Sequence, residues 1–158
     1  IQRVLQNLLN ERVSIRDLPT ILEGISEACA FTRNVTQLTE HVRSRLARQI
    51  SEQNSTEDNF IPLVTLSAEW EQIFSDSILD QGEDKQLSMA PSQLQRFIGA
   101  VRTTLDELAE IEDPPVVLTS PSARPFVRSI IERFRPATSI MSQNELHPKA
   151  KIKTLGQI

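Results

Sequence analysis

One stretch of the sequence, residues 115–136 (PVVLTSPSARPFVRSIIERFRP), constrains the fold more than any other. It begins with a short, continuous apolar run at residues 116–118, as expected for a strand covered on both faces. A polar turn follows, and from Phe126 the apolar residues return at the spacing of one buried helix face. Residues 140–141 predict the next strand. A strand, a crossover helix and a strand within this span predict a parallel pair with a right-handed connection.

The turn between Thr119 and Ser122 also suggests a function, because the free N–H groups at a helix N-terminus can bind an anion. Arg124 and Arg128 follow closely in the sequence. However, residues 116–135 contain no glycine, so a phosphate could not approach the backbone as it does in a glycine-rich loop. Ordinary helix capping by a serine is the preferred interpretation. A small phosphate- or nucleotide-binding α/β enzyme using this turn is the alternative.

Composition and charge narrow the class of protein. The 158 residues are enough for one ordinary domain or two small ones, and 39% hydrophobic with 24% charged residues is typical of a soluble globular protein. A net charge of −4 argues against sequence-independent nucleic-acid binding. A single cysteine, Cys29, excludes an internal disulfide, and with only His41 and His147 beside it we expect no zinc cluster. No cofactor is expected.

The start of the chain suggests a piece of a longer protein. Residues 1–9 are already in helical register, without an initiator methionine or a cap. No apolar run approaches the roughly 20 residues needed to span a bilayer. We therefore expect any membrane anchor or catalytic domain to lie upstream of this sequence.

The chain divides into two parts with different patterns. Residues 1–53 show only amphipathic helices, and we expect Asp17 to cap the second helix and Thr36 or Thr39 to cap a third that reaches Ile50. Residues 54–59 are polar and predict a linker. In the second part, helices alternate with strand candidates at residues 60–66, 86–89, 116–118, 138–142 and 152–158. Pro62 predicts that the first of these strands lies at a sheet edge or is only a strand start.

The predicted fold class is therefore α+β overall. An all-helical subdomain (residues 1–53) precedes a small mixed α/β subdomain (residues 60–158) with a short sheet and packed helices. A long helix opened by Pro91 ends before residues 113–115, where the sequence is Asp-Pro-Pro.

No set of residues predicts catalysis or metal binding. The acidic run from Asp106 through Glu110 to Asp113 lies at a helix C-terminus, where acids oppose the helix dipole, and no histidine is placed to complete a site. Ser120 and Ser122 have no base within the same motif. We therefore expect a chain that is not an enzyme.

Charged helix faces supply the candidate interaction sites. Arg43, Arg45 and Arg48 lie on one helix and could form a nucleic-acid footprint. A solvated face or protein interface is preferred, because no aromatic residue is interleaved and the chain is acidic overall. Arg124, Arg128, Glu132 and Arg135 predict a charged outer face on the central helix. With Arg16 and Asp17, which precede a helix, the full set expected at partner interfaces is Arg16, Asp17, Arg43, Arg45, Arg48, Arg124, Arg128, Glu132 and Arg135.

Four segments in order resemble a known family. They are VLQNLLNERVSIRDLPTILEGI (residues 4–25), LTEHVRSRLARQI (38–50), VVLTSPSARPFVRSIIERF (116–134) and IMSQNELHPKAKIKTLGQI (140–158). Together they resemble the C-terminal cytosolic part of the FlhA/InvA family of type III secretion export-gate proteins, over nearly the whole chain. The last segment is more similar to flagellar members, although it departs from the commoner LSYNEI-like form at Met141, Gln143 and Leu146.

The resemblance implies a fold and a role. It implies an upstream multi-span membrane region and a cytosolic portion of four subdomains, of which residues 1–53 and 60–158 match the third and fourth. Family members form rings, usually of nine copies, on the cytoplasmic face of the bacterial inner membrane. The ring receives chaperone–substrate complexes and ATPase-stalk components, largely on subdomains absent here. The implied function is flagellar protein export, with the homologous virulence-injectisome component as the alternative, and without nucleic acid as a partner.

Overall fold

The computed structural model of the chain describes residues 1–82, 84–109 and 113–158. Four helices precede the first strand: α1 (Gln2–Asn10), α2 (Leu18–Ala28), α3 (Val35–Arg45) and α4 (Ala47–Gln53). The helices α5 (Ala68–Ser77), α6 (Pro91–Glu107) and α7 (Arg124–Ile131) follow, interleaved with strands. The strands are β1 (Phe60–Thr65), β2 (Ile78–Gln81), β3 (Asp84–Leu87), β4 (Val116–Thr119), β5 (Ile140–Ser142) and β6 (Lys151–Gln157), and a short 3-10 helix covers Gln143–Glu145. The predicted fold class is confirmed.

One sheet organises the fold. Its strands are all parallel, in the order β5–β4–β1–β6. The stretch that constrained the sequence most forms β4, α7 and β5, and Val117 pairs with Ile140 in parallel register, as predicted. The strands β2 and β3 form a separate antiparallel hairpin. Gly82 in its turn has φ of +70°, a conformation that glycine adopts without steric cost.

The prediction that Pro62 confines the first strand to an edge is wrong. β1 is an interior strand, paired with β4 on one side and β6 on the other. The proline is tolerated because pairing with β4 begins only at Leu63, so at Pro62 the strand still has one unpaired side. A proline without an N–H therefore costs less there than in the middle of the ladder.

The two faces of the sheet pack against different helices. Along β4, Val116 belongs to a buried cluster with α1–α4, whereas the next residue, Val117, belongs to a cluster with α5–α7. Leu63 and Val64 in β1 divide in the same way. Successive strand side chains point to opposite faces, so a strand buried on both faces has a continuous apolar sequence. Apolar residues from both sides of the predicted linker thus share one cluster.

Local side-chain chemistry fixes several helix starts. Asp17 caps α2 and Ser67 caps α5, each accepting a hydrogen bond from the backbone N–H three residues on. The prediction for the third helix is wrong. Asn34, not Thr36 or Thr39, caps α3, and the Thr39 hydroxyl instead donates to the carbonyl of Val35 at 2.8 Å.

Other boundaries shift by a few residues. The single helix predicted to reach Ile50 is two helices, because the backbone leaves helical geometry at Leu46, between α3 and α4. The strand predicted at residues 86–89 is β3 of the hairpin, and the last strand begins at Lys151. Glu110, in the acidic run, lies outside the described residues. None of the helices described is long and apolar enough to cross a membrane.

Candidate functional site: a buried charge network between the helices and the sheet

Arg124, the first residue of α7, lies at the centre of a buried charge network, with 1% of its side chain exposed. Its Nη1 and Nη2 donate to the two carboxylate oxygens of Glu11 at 3.0 and 2.6 Å. Its Nε and Nη2 donate to those of Glu40 at 2.8 and 3.1 Å. Nη1 also donates to the carbonyl of Ile140 at 2.9 Å. The planar fork of one guanidinium therefore joins two carboxylates of the helical part to β5.

Arg43, whose side chain is 3% exposed, forms the second centre of the network. Its Nε and Nη2 donate to the Glu145 carboxylate at 3.1 and 2.7 Å, and Glu145 is itself 1% exposed. The Ser142 hydroxyl donates to the same carboxylate at 3.2 Å. Nη1 of Arg43 is 3.7 Å from a Glu11 oxygen and has no hydrogen-bond partner in the described residues. The Arg43–Glu145 pair thus joins α3 to the short 3-10 helix after β5.

The network is balanced in charge. Arg128 extends it, with its Nε 3.5 Å from Glu11 and 3.4 Å from Glu132. Its buried or mostly buried members are Glu11, Glu40, Arg43, Arg124, Arg128 and Glu145. Three guanidinium groups and three carboxylates compensate one another, as buried charges must.

Burial and pairing with arginine shift the pKa values of the carboxylates in opposite directions. Burial alone would raise the pKa of Glu11, but the hydrogen bonds and charge of Arg124, helped by Arg43, outweigh it and hold that pKa below its ordinary value. For Glu40, burial dominates and raises the pKa, because Arg124 compensates it only in part. Burial would lower the pKa of Arg124, but Glu40, Glu145 and Glu11 raise it, so this arginine stays charged.

The arrangement is suited to holding the two parts of the chain in one orientation. Glu11, Glu40 and Arg43 come from the part of the chain before β1, whereas Arg124 and Glu145 come from the part after it. Removing one partner of a buried ion pair costs about 3–5 kcal/mol, because it leaves an uncompensated charge in a desolvated place. If the helices slid along the sheet or moved away from it, several charges would be left buried without a partner. The network therefore favours a single packing of the helices on the sheet.

Ser51 strengthens the same junction. Its hydroxyl donates to the carbonyl of Glu145 at 2.9 Å and accepts the N–H of His147 at 2.9 Å. The segment that carries Glu145 is therefore bound by α4 as well as by α3. No group of three or more histidine, cysteine or acidic side chains able to hold a metal occurs in the part of the chain that the structure describes.

The structure corrects the expected exposure of three predicted site residues. Arg128, expected on the outer face of the central helix, has only 13% of its side chain exposed and belongs to the network. Arg43 and Arg124 were expected on outward-facing surfaces, and both are buried. The sequence carried a signal for this. Arg43 lies three and seven residues before Leu46 and Ile50, and Arg124 lies three and seven before Val127 and Ile131, so each arginine belongs to the buried stripe of its helix.

The burial of Arg43 also argues against the alternative of a nucleic-acid footprint, which required three exposed arginines on one helix. Arg45 is exposed and pairs with Glu23 and Glu27. Arg48 is exposed and pairs with Glu52 across one helical turn at 3.3 Å.

The remaining predicted site residues lie at or near the surface. Arg16 and Asp17 are exposed, and the Asp17 side chain is engaged as the α2 cap. Glu132 is 49% exposed beside Arg128, and Arg135 is 31% exposed and pairs with Asp106. Their expected role at partner interfaces stays a prediction.

The network contains carboxylates that the sequence did not reveal. Glu11 and Glu145 lie 134 residues apart and belong to no motif, so only the packed fold brings them together. Glu40 lies three residues before Arg43 on the same helix, but its carboxylate binds Arg124 from the distant α7. The long separations put these pairs beyond any local pattern.

The turn proposed for phosphate binding is occupied by a side chain of the protein. The Thr119 hydroxyl and the Ser120 N–H both donate to one carboxylate oxygen of Glu71, at 2.8 and 3.1 Å. The Ser120 hydroxyl accepts the N–H of Ala123 at 3.4 Å. The turn does bind an anion, but the anion comes from α5. A phosphate there would compete with Glu71 and be repelled by it.

Comparison with known proteins assigns the chain to a class. The flagellar biosynthesis protein FlhA of Caulobacter vibrioides is 56% identical over the whole chain, which spans 23% of that protein. The complex of the Chlamydia pneumoniae proteins CdsV and CdsO contains a chain of similar fold, with TM-score 0.87 and 32% identity over 98% of this chain and 46% of that one. The nonameric cytosolic domain of EscV, from a type III secretion system, gives TM-score 0.77 and 28% identity over 99% and 46%.

Fold and sequence therefore define a cytosolic-domain portion of a type III export-gate protein. A family model described as the FHIPEP family matches residues 1–151, and the chain belongs to this family. The resemblance inferred from the four ordered segments is confirmed.

Proposed function

We propose that this chain is a rigid, non-catalytic scaffold in the cytosolic part of a flagellar type III protein-export gate, at the cytoplasmic face of the bacterial inner membrane. In this role it contacts neighbouring copies in a ring and helps receive chaperone–substrate complexes and ATPase-stalk components. The observation that carries the proposal is the charge network centred on Arg124, which joins helices and sheet into one body. A scaffold needs such fixed geometry, since contacts on its two parts must keep a constant spacing.

Three further observations support the scaffold role. The turn that could have served an enzyme is filled by Glu71. The much higher identity to a flagellar relative than to CdsV or EscV favours flagellar over injectisome export. The neighbours of similar fold include a nonameric assembly and a complex with a second protein, so the same fold serves assembly and partner binding in those relatives.

The exposed charges outside the network supply the surface for such contacts. Arg16 and Arg45 lie on the α2–α3 side of the chain and are solvent-exposed. Charged groups at an interface steer and orient partners more than they add affinity. Reversing them should therefore disturb assembly and export without disturbing the fold.

The test uses the full-length protein that contains this chain, produced in its own flagellated strain. We expect Arg16→Glu combined with Arg45→Glu to reduce the amount of exported flagellin at least tenfold. The purified cytosolic portion of this variant should show less of the ring species by analytical ultracentrifugation. Its melting temperature should fall by no more than about 4–8 °C, because the two exposed ion pairs that Arg45 makes with Glu23 and Glu27 contribute at most about 1 kcal/mol each.

A matched control distinguishes an effect specific to Arg16 and Arg45 from an effect of the changed net charge. Arg3→Glu combined with Arg133→Glu changes the charge by the same amount at two other exposed positions. The proposal predicts normal export for this control. Unchanged export in both variants, or an equal loss in both, would contradict a specific interface at Arg16 and Arg45.

A further inference from the structure

A basic pocket lies where α4 approaches the start of β6. Its volume is about 430 Å³, and its basic lining residues are Arg48, His147, Lys149 and Lys151. Among the described lining residues Glu52 is the only one with a carboxylate, and it pairs with Arg48. This concentration of positive charge is unusual in a chain whose net charge is −4. It plays no part in the network centred on Arg124.

The two lysines of the basic pocket are uncompensated. Lys149 and Lys151 are exposed, and neither ammonium has an ion-pair partner among the described residues. Lysines on an edge strand such as β6 commonly prevent edge-to-edge pairing of sheets. That role does not account for Lys149, which precedes the strand, or for Arg48, which lies on a helix.

The imidazole of His147 is oriented towards a donor role. The N–H of Lys149 donates to its Nδ1 at 3.2 Å, so the neutral ring carries its proton on Nε2. No partner of Nε2 occurs in the part of the chain that the structure describes. The backbone of the loop is held in turn, since the His147 N–H donates to Ser51 and the Ala150 N–H donates to the carbonyl of His147 at 2.9 Å. A fixed N–H donor thus lies beside flexible cations.

We propose that the basic pocket binds an acidic segment of a partner polypeptide, whose carboxylates contact Lys149, Lys151 and the Nε2–H of His147. The complementarity of charge identifies the partner as acidic. A polypeptide fits better than a nucleic acid, because the cationic area is a single pocket and none of its described lining residues is a phenylalanine, tyrosine or tryptophan on which a base could stack. This site is separate from the proposed scaffold contacts at Arg16 and Arg45.

The test measures binding of a fluorescein-labelled peptide of six glutamates by fluorescence anisotropy with the 158-residue chain. We expect saturable binding that weakens as salt is raised, and Lys149→Glu combined with Lys151→Glu should raise the Kd at least about tenfold at low ionic strength. We expect His147→Ala to raise the Kd about two- to threefold, because it removes the Nε2–H donor.

Two comparisons make the result decisive. The variant Arg3→Glu combined with Arg133→Glu has the same net charge, and we expect its Kd to stay within twofold of the parent. A single-stranded RNA with the same number of charges should bind at least fivefold more weakly than the peptide. Equal loss in the two charge variants, no preference over a Gly-Ser peptide, or RNA binding as tight as the peptide would each overturn the proposal.

Discussion

Substituting Arg124 by methionine gives the sharpest test of the charge network. Methionine has a similar length and no charge, so Arg124→Met removes the guanidinium while leaving little empty space. Glu11 and Glu40 then lose their main partner, and the carbonyl of Ile140 loses a donor at 2.9 Å. The perturbation is local because the side chain of Arg124 is 1% exposed.

The expected loss follows from the number and kind of bonds removed. Arg124 makes four hydrogen bonds of 2.6–3.1 Å to carboxylate oxygens, each of the charge-assisted kind. Their energies do not add, since part of the cost is met by protonation or hydration of the freed carboxylates. The appropriate measure is the cost of breaking a buried pair, about 3–5 kcal/mol. That is a large fraction of the 5–15 kcal/mol typical of a whole domain.

Urea denaturation followed by tryptophan fluorescence measures this loss. The only tryptophan, Trp70, is 8% exposed and packs edge-on against Phe97 with ring centroids 5.1 Å apart, so its emission reports unfolding of the core. Urea is preferred because it carries no charge and does not screen the ion pairs, whereas guanidinium chloride is a salt and would screen them. We expect a lower urea midpoint with an unchanged slope for Arg124→Met.

Two further variants test whether the loss of stability in Arg124→Met comes from the charge network. Arg133→Met removes an exposed arginine from the same segment and should change stability by no more than about 0.5 kcal/mol. Combining Arg124→Met with Glu40→Gln should cost less than the sum of the single losses by about 1–3 kcal/mol, as expected for residues in contact. A loss below about 1 kcal/mol for Arg124→Met, or strict additivity with Glu40→Gln, would refute the reasoning.

Two other predictions concern pH and helix packing. The pKa of Glu11 is held below its ordinary value of 4.5, so its ionised form stabilises the fold above pH 4.5, and this contribution is lost as the pH falls below 4.5 through the folded-state pKa. Glu11→Gln should therefore flatten the acid side of the stability profile measured by urea titration from about pH 3 to 7; a profile as steep as the parent's would contradict this. On α6, an added Cβ at Gly99 meets no atom within 4 Å, so Gly99→Ala should stabilise by about 0.4–1 kcal/mol. At Gly24 a Cβ would lie 3.2 Å from a side-chain carbon of Val42, so Gly24→Val should destabilise the protein by about 1–3 kcal/mol. If Gly99→Ala and Gly24→Val both raised, or both lowered, the melting temperature, the packing described for these two glycines would be contradicted.

Local patterns predicted most of the elements correctly. The strand–turn–helix at residues 116–131 could be identified because its apolar run and its helical spacing are short-range signals. The cap at Asp17 was predictable for the same reason, since a cap acts over three residues. The error at Pro62 has a different origin. Whether a strand is interior depends on partners far away in the sequence, which no local pattern records.

The candidate site was predicted less well than the fold. Arg43 and Arg124 were identified as important, but as surface residues, because a charged side chain on a helix is usually solvated. Their position on the apolar stripe of each helix was readable from the sequence. The identity of their partners was not, since Glu11 and Arg124 are 113 residues apart.

The sequence alone determined the class of fold, the family and the continuous apolar strand at the centre of the sheet. These features follow from periodicity and from motifs that lie within a few residues of one another. Only the tertiary structure decided that the turn before α7 holds the carboxylate of Glu71, and that Arg124 binds Glu11 and Glu40 inside the protein. The physical reason is that a charge can be buried only beside its counter-charge, and that partner is chosen by the packing of distant elements rather than by neighbours in the chain.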